Sequence, residues 1–193
     1  MLPELGPEDG GGWFIAGTLH LYRHEYAAAQ QLMAVALRCP GHPGDAGFSL
    51  GIAQLSAGDF AEGYKNYMLR KALYPTTRMA GVAEWTGEDL EGKRVLVHWE
   101  QGLGDSIQYM RYVPQLTGRN VRMVFNAQPE LVQLLRHARE EVDSDQARID
   151  AESFDYQLHL LDLPLLCGAS NAADIPADIP YLHPDPTLVA EWR

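Results

Sequence analysis

The residues that invite chemistry lie together: Glu100-Gln101-Gly102-Leu103-Gly104-Asp105, followed by Ser106-Ile107. They come directly after Arg94-Val95-Leu96-Val97-His98-Trp99-Glu100, a β-prone run with a continuous apolar centre, as expected of a strand buried on both faces. A helix is expected from Asp105 to about Val113, with Ile107, Met110 and Val113 near one stripe and Pro114 at its end. Such a strand–glycine turn–helix passage places a helix N-terminus at the carboxyl edge of a parallel strand, where open α/β sheets bind ligands. Asp105 would repel a phosphate there, but it suits a general base or an acceptor of hydrogen bonds from substrate hydroxyls. Its other reading is the N-cap of the following helix, for which Asp is among the best residues. Glu100 and Gln101 flank the same rim, with loop-fixing contacts open to them.

Other chemistries are excluded by spacing. The string G-x-G-x-x ends in Ile107 rather than glycine, and the second strand ends in Phe125-Asn126 without an acidic residue for a ribose, so a dinucleotide site fails two requirements. Gly87 to Arg94 reads G-x-x-x-x-G-K-R, but Arg94 stands where a P-loop needs Ser or Thr, and the string precedes its strand. Gly47-Phe48-Ser49-Leu50-Gly51 has the G-x-S-x-G spacing inside a helical pattern, where a nucleophile elbow cannot form. Of seven histidines, only His20 and His24 have helical ligand spacing, with no third ligand nearby, and Cys39 and Cys167 form no C-x-x-C pair. No metal site and no cofactor is expected, and the two thiols are read as buried and reduced.

The elements that must carry the rim fall into two stretches. Residues 10–75 repeat with a period of 34: Phe14 and Phe48, Gly17 and Gly51, Leu21 and Leu55, Tyr26 and Phe60, Ala29 and Gly63, Met33 and Tyr67. Each copy reads as two helices, Trp13 to about Tyr22 with Glu25 to Arg38, then Ala46 to about Ala57 with Phe60 to Leu73. Gly58 is placed to stop a helix at C′, and Asp45 and Asp59 to cap the next ones. Residues 76–92 read as a linker anchored by Trp85, and 93–193 as a sheet domain. Its further expected elements are a strand at Val121–Phe125, a helix entered through Pro129, an acid-rich loop from Glu140 to Asp155, a strand at Tyr156–Leu160, a possible edge strand at Tyr181-Leu182, and a helix from Leu188. The whole is α/β: helical repeats, then a Rossmann-like parallel sheet.

Two stretches carry a family resemblance. "GFSLGIAQLSAGDFAEGYKNY" resembles tetratricopeptide repeats, with Trp13 in the first copy and Leu50-Gly51 in the second at signature positions. "WTGEDLEGKRVLVHWEQGLGDSIQYMRYV", "FDYQLHLLDLPLLCG" and "IPADIPYL" resemble bacterial tetratricopeptide proteins that carry a glycosyltransferase domain, similar to the heptosyltransferases (glycosyltransferase family 9) and more distantly to protein O-GlcNAc transferases. The resemblance covers residues 45–193 and implies the acceptor half of a GT-B fold, the nucleotide-sugar half being absent, so that the chain is inactive alone. It implies Asp105 as the catalytic base, with Glu100, Gln101, Gly102 and Gly104 at the acceptor. The implied partners are a sugar or protein acceptor, a nucleotide-sugar only if the second half is supplied, and a peptide if the repeats form a groove rather than a prop. The alternative is an interaction module: repeats that bind a peptide, on a degenerate Rossmann platform.

Charge and hydropathy narrow the partners further. Fifteen Lys and Arg stand against 26 Asp and Glu, a net charge of -11 over 193 residues. Sequence-independent nucleic-acid binding and polybasic membrane contacts both rely on the opposite balance. The N-terminus, Met-Leu-Pro-Glu-Leu-Gly-Pro-Glu-Asp, lacks the pattern of a signal peptide, and no apolar run approaches the ~20 residues of a membrane span, so the expected compartment is the cytoplasm.

Overall fold

The computed structural model describes residues 5–42, 44–116, 120–138, 142–145, 148–149 and 153–192. The chain divides into two compact units, a helical one (1–76 with 168–174) and a sheet one (77–167 with 175–193).

The helical unit holds α1 (Gly10–Tyr22), α2 (Tyr26–Ala36), α3 (Ala46–Ala57), α4 (Phe60–Tyr67) and the short α5 (Arg70–Leu73). Helix α1 starts three residues earlier than the pattern predicts, because Asp9 caps it by accepting from Gly12 N–H at 2.7 Å. The turn between α3 and α4 follows the expectation: Gly58 has φ +87°, and Asp59 accepts from Glu62 N–H. The equivalent turn between α1 and α2 places His24 at φ +61°, the left-handed region that glycine occupies in the second copy. Asp45 flanks α3 but makes no capping bond with its side chain, and the helix expected to run from Phe60 to Leu73 is interrupted between Tyr67 and Arg70. The helices of each copy approach closely where glycine removes a side chain. A Cβ on Gly51 would lie 2.7 Å from Tyr67 N, and one on Gly17 2.8 Å from Met33 Cγ. Ala29, Met33 and Ala53 form the buried centre where α2 meets α3.

The sheet unit is built on five parallel strands in the order β1-β5-β2-β3-β4: β1 (Ala83–Glu84), β2 (Arg94–His98), β3 (Arg122–Asn126), β4 (Val142–Asp143) and β5 (Tyr156–His159). The mixed α/β class with a parallel sheet is therefore present. Strand β1 lies within the stretch read as a linker, and it pairs with β5 through Ala83 with Tyr156 and Glu84 with Gln157. Strand β4 lies in the stretch read as an acid-rich loop, much of which falls outside the described residues. Tyr181-Leu182 forms no strand, and the last helix runs from Pro186 to Glu191, capped by Asp185. The cysteines are free, Cys39 buried and Cys167 half-buried.

Alternation along the strands gives the sheet two different faces. On one, Leu96 and Val124 pack with Ile149, Met79 and Phe154. On the other, Val97 and Phe125 line a small void together with Ser106 from the helix after β2, Met110 just beyond that helix, and Leu135 from the helix after β3. Those helices, α6 (Leu103–Tyr109) and α7 (Val132–Ala138), are the crossovers that parallel pairing requires. Helix α6 ends early and passes into a 3-10 segment, Met110–Gln115, that contains Pro114.

Candidate functional site

The rim is set by where β2 stops. His98 pairs with Asn126 in register, and Trp99 extends the ladder by donating its N–H to Asn126 O at 3.1 Å. The chain then turns sharply. Glu100 is buried at 7% exposure, and Gln101 takes φ +61°, an unusual conformation for a residue with a Cβ. Gly102 is extended (φ -90°, ψ 170°) and is the N-cap of α6. Asp105 sits at N3, half-buried, and its Oδ2 accepts from Gly102 N–H at 2.9 Å. The aspartate is thus not the cap itself. It reaches back to the cap, as the acidic N3 residue of a capping box does. Leu103 and Gly104 belong to the first helical turn rather than to a preceding loop.

Of the five residues the sequence singled out, Glu100 is turned into the protein while Gln101, Gly102 and Gly104 are exposed beside the half-buried Asp105. A Cβ on Gly104 would meet nothing within 4 Å, so the backbone of that turn is open to approach from outside. Ser106, next to Asp105, is buried, and its hydroxyl donates to Gln128 Oε1 at 2.6 Å. That bond ties the first turn of α6 to the segment after β3 and fixes the helix that carries Asp105. Ser106 and Gln128 were not singled out from the sequence, where neither stands in a recognisable spacing.

Behind the rim lies a second polar group, also missed from sequence. His98, Asn126 and His159 occupy one register row at the strand ends, and Gln157 stands two residues back from His159 on the same face. All four are buried. Gln157 Nε2 donates to Met79 O (2.9 Å) and Val82 O (2.7 Å), while its Oε1 accepts from Met79 N–H (2.7 Å). This orients the amide, so His98 Nε2 at 3.0 Å must be the donor to Oε1. The other ring nitrogen, Nδ1, faces Asn126 Nδ2 at 3.5 Å, an amide donor that favours the neutral imidazole. Burial pushes its pKa down to about 4; the bond to Gln157 opposes this, and the neighbouring His159, stacked at 5.4 Å between ring centroids, adds to it. His159 Nε2 donates to Thr77 O at 2.8 Å, and Asp162 Oδ2 lies 3.9 Å from its Nδ1. The signal for this group was the alternation Tyr156-Gln157-Leu158-His159: two polar residues at alternate positions of a strand buried on both faces.

Among the described residues no cluster of three or more His, Cys, Asp or Glu is placed to hold a metal ion, and no helix is long and apolar enough to cross a membrane. Burial pushes the Cys167 thiol up to about 11, which leaves little thiolate at neutral pH.

Comparison with known proteins gives one relative. The chain is 29% identical over 216 aligned positions to Protein FlbA of Caulobacter vibrioides, in an alignment that takes in 98% of this chain and 36% of that protein. The chain thus spans about a third of the length of the curated relative it matches. No protein-family model matches the chain, and no solved structure does.

Proposed function

We propose that the sheet unit is the acceptor-binding half of a GT-B glycosyltransferase, and that the helical hairpins are tetratricopeptide-type repeats. The observation that carries the reading is the placement of Asp105: a half-buried carboxylate in the first turn of α6, at the carboxyl edge of a parallel strand, beside an open glycine backbone. On this reading an acceptor hydroxyl lies against Gly102 and Gly104. Asp105 takes its proton as the oxygen bonds to the anomeric carbon of a nucleotide-sugar. The bond from that carbon to the diphosphate breaks, and the electron pair leaves with the nucleoside diphosphate. One carboxylate oxygen is held by Gly102 N–H, which orients the other toward a substrate. Donors for the diphosphate charge are needed for such a reaction. With a net charge of -11, the chain is expected to depend on a second half for them.

The test measures nucleoside diphosphate released from UDP-, GDP- and ADP-sugars by the protein that carries this sequence, in the presence of sugar and protein acceptors. Asp105→Asn should lower release by about a hundredfold or more, with unchanged circular dichroism. Release by the variant at the wild-type rate, or none by the wild type from any donor, overturns the reading. So does turnover by the isolated 193 residues, which are expected to be inactive alone. The second reading, an interaction module, is favoured by the two stacked hairpins. It predicts that Asp105→Ala leaves the protein's activity intact.

A further inference from the structure

The chain's four tryptophans differ in what their indole N–H, a group that only donates, is bonded to. In Trp13 it donates to Gly6 O at 3.0 Å, and in Trp85 to Glu88 O at 2.8 Å. Trp192 stands in solvent at 90% exposure. Trp99 is held in the fold, yet its indole N–H has no acceptor among the described residues. Alternation puts its ring on the face of Val97, where it walls the same small void as Ser106 of α6 and Leu160 just after β5. The rest of the ring is exposed, at 38%, as is Leu103, at 42%, in the first turn of α6. Ser106 follows Asp105 directly, so the indole and the carboxylate share one rim. Asp105 also has an unused atom: Oδ2 accepts from Gly102 N–H, and Oδ1 has no partner among the described residues. The strand order singles this rim out. From β2 the chain moves outward to β3 and β4, then returns to place β5 on the other side of β2. Open α/β sheets bind ligands where the order reverses in this way, beyond the carboxyl ends of the strands.

We propose that Trp99 binds the acceptor and selects a pyranose ring, an inference that rests on the reading of this rim as an acceptor site. The C–H face of the ring stacks on the exposed part of the indole, and one ring hydroxyl accepts from Nε1. The hydroxyl that is to be glycosylated donates to Asp105 Oδ1. The residues themselves dictate that class. An indole offers a large apolar area and fixes only two side-chain torsions on binding. An unengaged donor and an unengaged acceptor on one rim match a molecule with neighbouring hydroxyls and an apolar face. An apolar protein segment packed on Trp99 and Leu103 would strip water from both polar groups and leave them unsatisfied. A hydroxyl carried on a single polypeptide side chain would use Asp105 and leave the indole donor unmatched.

The test labels the protein that carries this sequence with fluorotryptophan and assigns the Trp99 fluorine signal by its loss in Trp99→Phe. The probes are the methyl glycosides of glucose, galactose, mannose and N-acetylglucosamine, with a blocked serine–threonine peptide beside them. At least one glycoside is expected to move the Trp99 signal saturably and to leave the Trp13 and Trp85 signals in place. Its affinity, read from saturation transfer to the glycoside, should fall about tenfold with Trp99→Ala and about threefold with Trp99→Phe, which keeps an aromatic ring in the packing but has no donor. No movement with any of the four glycosides up to about 100 mM overturns the proposal. Unchanged affinity in a folded Trp99→Phe overturns it too, and so does movement by the peptide alone, which assigns the rim to polypeptide acceptors. The reading of Asp105 as the base fails separately: it falls if Asp105→Asn releases nucleoside diphosphate at the wild-type rate, whatever the Trp99 signal does.

Discussion

In the helical unit the tight contacts are made where side chains are missing; in the sheet unit the corresponding places are filled by polar side chains. Gly51 brings two helix backbones together so closely that a methyl group would strike Tyr67 N, Asn66 C and Gly63 O, all at 3.0 Å or less. At the strand ends of the sheet, by contrast, Gln157 satisfies two carbonyls and two N–H groups at once, and His98 and Asn126 complete the row. The difference teaches where each unit is vulnerable. Helix packing tolerates changes that keep its volume and fails on those that add to it. A buried polar row fails when one partner is removed, because the groups left behind lose both water and their hydrogen bonds.

The largest expected effect follows from that contrast. Gln157→Leu keeps the volume but strands Met79 N–H, Met79 O, Val82 O and the His98 donor, and should cost about 4 kcal/mol in urea unfolding of the sheet unit. A loss under about 1 kcal/mol would show that the row is dispensable. Next comes pH. The folded pKa of His98, about 4, lies below its unfolded value near 6.5. The unfolded chain therefore binds more protons between these values, and stability drops as pH falls from 6.5 toward 4. The His98 contribution to that drop should be about 3 kcal/mol. His98→Asn should flatten the slope relative to wild type, and parallel slopes would contradict the burial argument. Gly51→Ala should cost about 2 kcal/mol and lower the thermal midpoint of the helical unit, since backbone atoms, not flexible side-chain ends, meet the new methyl. The smallest effect has the opposite sign: Gly104→Ala, in open space within α6, should stabilise by about 0.5 kcal/mol.

What could be read from the sequence was local or periodic. The period of 34 carried the hairpins, and the Gly58-Asp59 pair carried a turn whose φ and cap follow from those two residue types alone. Strand β5 was legible from its apolar and β-prone neighbours. What escaped depended on partners distant in the chain. Strand β1 is two residues long and exists only because β5 lies beside it. Asp105 was open between cap and base; which residue caps α6 was decided by Gly102, whose extended backbone starts the helix three residues earlier than a cap at Asp105 would. The Ser106–Gln128 bond spans 22 residues and leaves no spacing to recognise.

On the proposed reading, chemistry belongs to the rim of the sheet unit, where Asp105 lies in the first turn of α6, and not to the helical unit. It is tested most directly by nucleoside diphosphate release from nucleotide-sugars by the protein that carries this sequence, comparing Asp105→Asn at the rim with Gln31→Ala on the exposed side of α2. A loss of about a hundredfold or more is expected for the rim variant, and an unchanged rate for the variant on α2. An unchanged rate for Asp105→Asn in a folded protein would contradict it.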